Sequence, residues 1–170
     1  MTRRMMVTAG LALMLMLGVV IPMQAAEGDQ TRSARVAVVV QVSAPPIVDG
    51  AVVAGAALRH LGEAFKDSEK LTLIDPERTQ QATRRLGLGA RPSERAIRAL
   101  ADALEAERVV IVRLDVRDGF QVALQGRVFN ARGQERFEFH TTVGARELDD
   151  AIERMGNVLV HHLLPALLKP

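Results

Sequence analysis

The chain has no cysteine, no tryptophan and no tyrosine, and phenylalanine occurs only five times in 170 residues. Without cysteine there is no disulfide, no thiolate metal site, no cysteine nucleophile and no lipid anchor attached through a thiol. With so few rings there is little to stack on bases or sugars. An excess of one charge is lacking too. Basic residues number 22 and acidic ones 20, and the surplus is Arg3 and Arg4 at the amino terminus. From Glu27 onward the two signs balance at 20 each, which is not the footprint of a nucleic-acid or polyanion binder.

What is there begins with a leader. Arg3-Arg4 precede a stretch from Met5 to Met23 without a charge, and Pro22-Met23-Gln24-Ala25-Ala26 follows before Glu27. A basic start, an apolar middle and small residues at the end make a secretory signal over residues 1–26, cut after Ala25 or Ala26. Gln24 or Met23 stands three positions before the cut, where a small residue is usual. The same stretch is long enough to span a bilayer, so an uncleaved amino-terminal anchor is the alternative. Arg3-Arg4 reads as the positive start of a general export signal rather than as a twin-arginine signal. Removing the leader leaves about 144 residues, enough for a core that needs no disulfides.

Residues 27–34 read as a flexible polar lead-in, and residues 35–166 as a single domain. Arg35–Val42 is a nearly continuous β-branched run, the pattern of a strand buried on both faces. Ser43-Ala44-Pro45-Pro46 ends it. Asp49 is placed to cap a helix from Ala51 to Lys66, with Ala54, Ala57, Leu58, Leu61 and Phe65 on one face. Leu71–Ile74 is a short strand stopped by Asp75-Pro76. A helix starts at Pro76 and ends near Leu86-Gly87. Ser93 caps another, whose apolar face is Ala96, Ile97, Leu100, Ala101 and Leu104. Arg108–Val116 is the third strand. Asp118-Gly119 marks a hairpin into Phe120–Phe129, and Asn130-Ala131-Arg132-Gly133 a second into Glu135–Val143. In these last strands Phe120, Val122, Leu124 and Val128, and then Phe137, Phe139, Thr141 and Val143, alternate with polar residues, so one face is buried. A helix from Glu147 to Leu164 carries Leu148, Ile152, Met155, Leu159 and Leu163 and is broken at Pro165. The expected fold is α/β with α+β character. A mixed five-stranded sheet has a βαβ start, a C-terminal antiparallel meander and helices packed on it. Val38, Val40, Ile111 and Leu104 are its expected core.

Four segments carry a resemblance. They are the Val-rich strand Arg35–Val42, the helix-to-strand run Ala56–Ile74, the helix and strand Ala99–Val112, and the hairpin through Val128–Gly133. Together they resemble the family of the TolB amino-terminal domain, the penicillin-binding-protein activator LpoB and CsgG-like periplasmic proteins, over about Arg35 to Leu164. Arg113 stands where a glycine is common in that pattern, and Asn130-Ala131-Arg132-Gly133 replaces a turn with Asp and Thr. The TolB propeller is absent. The resemblance implies an accessory or assembly role beside secretion, Tol-type or cell-wall machinery.

The candidate chemistry is sparse. His161-His162 are adjacent on a helix and point about a hundred degrees apart, so they do not chelate as an i, i+4 pair would; His60 and His140 are distant in sequence. Glu147, Asp149, Asp150 and Glu153 sit in the first turns of the last helix, where its dipole favours negative charge. Gly87-Leu88-Gly89 follows a helix and lacks the Lys-Ser/Thr partner of a phosphate loop. Arg84, Arg85 and Arg91 form the most positive local patch and read as a solvated surface. No nucleophile has a triad context. These residues indicate no catalytic site, metal or cofactor.

The expectation is therefore a non-enzymatic envelope protein in the periplasm, or anchored in the inner membrane and facing it. It binds other envelope proteins, contacts the membrane only through an uncleaved amino terminus, and takes no nucleic acid; homo-oligomerisation stays open. A periplasmic hydrolase or small-ligand-binding protein with a scattered site is the alternative. A meander presents an edge that must be covered or used. The candidate interaction surface is its outward residues Gln121, Gln125, Arg127, Arg136, Glu138 and His140.

Overall fold

The computed structural model describes residues 33–118 and 120–169. The expected leader, the lead-in up to residue 32 and the second residue of the Asp118-Gly119 turn lie outside the described residues. The element order is β1 (Ala34–Ser43), α1 (Gly50–Ser68), β2 (Leu71–Leu73), α2 (Pro76–Arg85), α3 (Glu94–Leu104), β3 (Arg108–Arg117), β4 (Gln121–Asn130), β5 (Glu135–Gly144) and α4 (Leu148–Leu168). The sheet runs β2-β1-β3-β4-β5. Helical crossovers make β1 parallel to β2 and β3, and two hairpins make β3, β4 and β5 antiparallel. This is the mixed five-stranded arrangement that the order of strands and helices in the sequence implies.

Local chemistry sets the helix limits. The Asp49 side chain accepts from the Ala51 N–H at 2.8 Å, and Asp75 accepts from Glu77 and Arg78 at 2.7 and 3.1 Å with Pro76 in the first turn. Ser93 caps α3 through the Ala96 N–H. Glu69 and Glu105 end α1 and α3 in the left-handed region, at φ 54° and 51°.

Alternation along the strands divides the core in two. On one face Val36, Val38, Val110, Val112, Leu114, Val122 and Leu124 pack under α1 and α4, against Leu61, Phe65, Met155, Leu159 and Leu163. On the other, Ala37, Val39, Val109, Ile111 and Phe129 lie against Ile97, Leu100, Ala101 and Leu104 of α3. The first half of β1 is thus buried on both faces, as its β-branched run implies.

Several expectations need correction. The buried stripe of α1 is Val53, Ala56, Ala57, Leu61 and Phe65, rotated from the expected one because α1 also packs against α4. Ala54 and Leu58 are left half-buried. They flank a cleft of about 460 Å³ between α1 and α2, beside the part of β1 that β2 is too short to pair. Val40 lines that cleft and is half-buried, whereas Val38, Ile111 and Leu104 are core. Pro165 does not break α4, which continues to Leu168 with Leu163 and Leu167 buried on either side of it. Burial of that last turn outweighs the hydrogen bond a proline removes. The domain therefore runs past residue 166. Phe120 belongs to the β3–β4 turn, at φ 55°, and β4 begins at Gln121. In β5 only Phe139 is fully buried, and Phe137, Thr141 and Val143 are half-buried because β5 is an edge strand.

Candidate functional site

The two faces of the sheet are covered unequally. α4 spans 21 residues and with α1 roofs one face. α3 spans 11 and, with α2 beside β1, covers only the near end of the other. Past Val39 and Ile111 the side chains on that second face turn polar. Register aligns them: Gln41 pairs with Arg113, Arg113 with Gln125, and Gln125 with His140, so four strands contribute one residue each to a single row. The next row outward is Ser43, Asp115, Ala123 and Thr142, and the next inward is Val39, Ile111, Arg127 and Glu138.

Around this row the side chains form a connected network. Gln125 Nε2 donates to Glu138 Oε1 at 2.8 Å, and His140 Nε2 lies 3.1 Å from the same oxygen. Arg127 donates through Nε to Glu135 Oε2 at 2.8 Å, is paired with it again through a terminal nitrogen, and stands 4.0 Å from Glu138. Its guanidinium carbon sits 4.8 Å from the centre of the Phe129 ring. The hydrogen bond from Gln125 holds the Glu138 carboxyl below the usual carboxylate range; partial desolvation opposes this, and the neighbouring His140 and Arg127 reinforce it.

The loop between α2 and α3 forms the wall. Gln41 Nε2 donates to Gly89 O at 3.2 Å and Arg113 to Ala90 O at 3.2 Å. Between loop and sheet lies a hollow of about 310 Å³, lined by Arg91, Arg113, Gln125, Arg127, Glu138 and His140 among others. A second depression of about 370 Å³ continues over Arg113, Asp115, Arg117 and Thr142. The Gln41 Oε1 atom is buried and has no hydrogen-bond partner among the described residues.

Of the six surface residues picked out in the sequence, Gln125, Arg127, Glu138 and His140 come together here. Gln121 lies at the end of β4 opposite Gly144, and Arg136 is exposed beside the irregularity at Val128/Phe129; neither lines the hollow. Arg127 differs from an ordinary exposed residue. Its side chain is only 23% accessible and is ion-paired, so reversing its charge would disturb folding as well as any contact. Arg84, Arg85 and Arg91 do not form one patch, because Arg84 lines the α1–α2 cleft while Arg91 joins the hollow. Gln41, Arg113 and Asp115 were missed. Their signal is a polar residue interrupting an apolar strand, at paired positions of β1 and β3.

The remaining candidates sit elsewhere. His162 stacks on Phe139 with ring centres 4.6 Å apart, and His161 meets it edge-on at 5.2 Å. His60 lies over the backbone of Gly156, where an added Cβ would come within 2.2 Å of the ring. Asp149 and Asp150 occupy the first turn of α4. Among the described residues, no group of three His, Asp or Glu side chains is placed to hold a metal ion, and no helix is long and apolar enough to cross a membrane.

No family model and no curated protein matches the chain. Solved structures do. A hypothetical protein from Chlamydia trachomatis is 15% identical with a TM-score of 0.57, over 79% of this chain and 98% of that one. A lipoprotein from Neisseria meningitidis is 12% identical with a TM-score of 0.50, over 78% and 99%. The C-terminal domain of LpoB from Escherichia coli is 18% identical with a TM-score of 0.49, over 68% and 85%. At such identities the likeness is one of fold. LpoB stands among the structural neighbours, while these structures give no support to the TolB and CsgG-like part of the resemblance.

Proposed function

We propose that this chain is an exported, non-catalytic accessory protein of the cell envelope, which binds another envelope protein through the open face of its sheet. The observation that carries the reading is the aligned row Gln41, Arg113, Gln125 and His140 on a face that α3 leaves uncovered. Strand ends and side chains placed by a rigid sheet make a surface suited to a partner. The groups there are bonded to one another, which favours contact over turnover. The basic and apolar leader supports export to the periplasm, and the fold it shares with a neisserial lipoprotein supports an envelope setting.

The test is partner recovery after crosslinking in intact cells. Gln125→Glu and His140→Glu should reduce recovery of one defined partner at least fivefold; each sets a carboxylate beside Glu138, so recovery is compared at equal amounts of folded protein. Arg59→Glu, on the opposite face of the molecule, should not. Equal recovery by all variants, or turnover of a peptidoglycan, ester or phosphate substrate by the purified protein, would overturn the reading.

A further inference from the structure

We infer that the hollow beside the α2–α3 loop receives a carboxylate side chain, presented by an extended, sparsely acidic segment of the protein partner. This rests on the binding role proposed above and adds the chemistry of what binds.

Two arginines of the open face are paired with carboxylates, and two at its loop side are not. Arg117 is paired with Asp115, and Arg127 with Glu135 and Glu138. Arg91 and Arg113 have no carboxylate within ion-pair distance among the described residues, yet both line the same hollow of about 310 Å³. Arg113 is half-buried and fixed by its bond to Ala90 O at 3.2 Å. That bond uses one N–H of a group with five, and a planar fork held in place suits a carboxylate that accepts two parallel hydrogen bonds.

The surroundings select among anions. Glu138 lines the hollow, and Asp115 lines the depression next to it. At the same position a dianionic phosphate would be repelled by these carboxylates about twice as strongly as a single carboxylate, and a dense polyanion more strongly still. The chain from Glu27 onward carries equal numbers of basic and acidic residues, so it offers no general attraction for polyanions. An open sheet face with side chains in rows also accommodates an extended segment.

The experiment is a titration of the isotope-labelled protein, followed by amide chemical shifts. The probe is a capped peptide in which one Glu is flanked on each side by two Ser; the same peptide with Gln, and inorganic phosphate, are the comparisons. Saturable shifts should centre on Arg91, Arg113, Gln125 and His140. The apparent Kd should weaken about tenfold with the Gln peptide and about tenfold in each of Arg91→Gln and Arg113→Gln, as loss of a charged hydrogen bond implies. Arg113→Lys should lose less. Arg91 is exposed, so its variant reports binding even if Arg113→Gln loosens the loop. Equal shifts with the Gln peptide, tighter binding of phosphate, or no effect of either arginine would overturn the inference. If the glutamate dependence fails while His140→Glu still lowers partner recovery, the carboxylate is wrong and the binding face stands. If partner recovery is insensitive to the face as well, both are wrong.

Discussion

Glu138 is the residue whose ionisation the network constrains most. Its depressed folded-state value means that it contributes stability above the ordinary carboxylate pKa of 4.5, and loses that contribution as pH falls through the lower folded value. Glu138→Gln should therefore flatten part of the acid limb. Its thermal midpoint should fall less than that of the native protein below pH 4.5, and parallel acid limbs would contradict this. Gly126 makes the opposite kind of demand, for space. A Cβ there would lie 2.1 Å from the Phe139 ring, which is itself stacked on His162 at 4.6 Å. The ring has little room to retreat, so Gly126→Ala should cost about 1–3 kcal/mol by denaturant titration. An unchanged midpoint would show that the ring moves freely.

Among the elements, β3 carries the heaviest load. Val110, Val112 and Leu114 face α1 and α4 while Val109 and Ile111 face α3. Ile111→Ala should cost about 2–5 kcal/mol, and a loss below about 1 kcal/mol would remove Ile111 from the core. This element also shows what can be read before a structure exists. Its apolar run identifies a strand, and the caps at Asp49 and Ser93 and the first-turn Pro76 locate three helices, because those signals are local. Arg113 and Asp115 were legible as polar residues two apart on one face, but not as neighbours of Gln41 and Gln125. That adjacency depends on register between strands separated by whole helices. The end of α4 was misread for a similar reason. Pro165 is a local signal to stop, and the burial of Leu167 that overrides it is tertiary. The six surface residues picked from alternation alone divided on the same principle. Four meet because β4 and β5 pair in register, and two fall outside the hollow.

At the scale of the whole molecule, unequal helix coverage gives the sheet one sealed face and one partly open face. α1 and α4 close the first, and α3 stops short on the second, where the polar rows and the loop carrying Arg91 begin. The central claim is that this open face, and not the helical one, meets a partner protein in the envelope. A photoreactive amino acid introduced at His140 tests it most directly, since that side chain is 64% accessible and lies in the row itself. The comparison is the same substitution at the exposed Arg59 of α1. After irradiation of intact cells, position 140 should yield one discrete protein adduct identifiable by mass spectrometry, and position 59 should not. Adducts at position 59 with none at 140 would contradict the claim and move the binding surface to the helices.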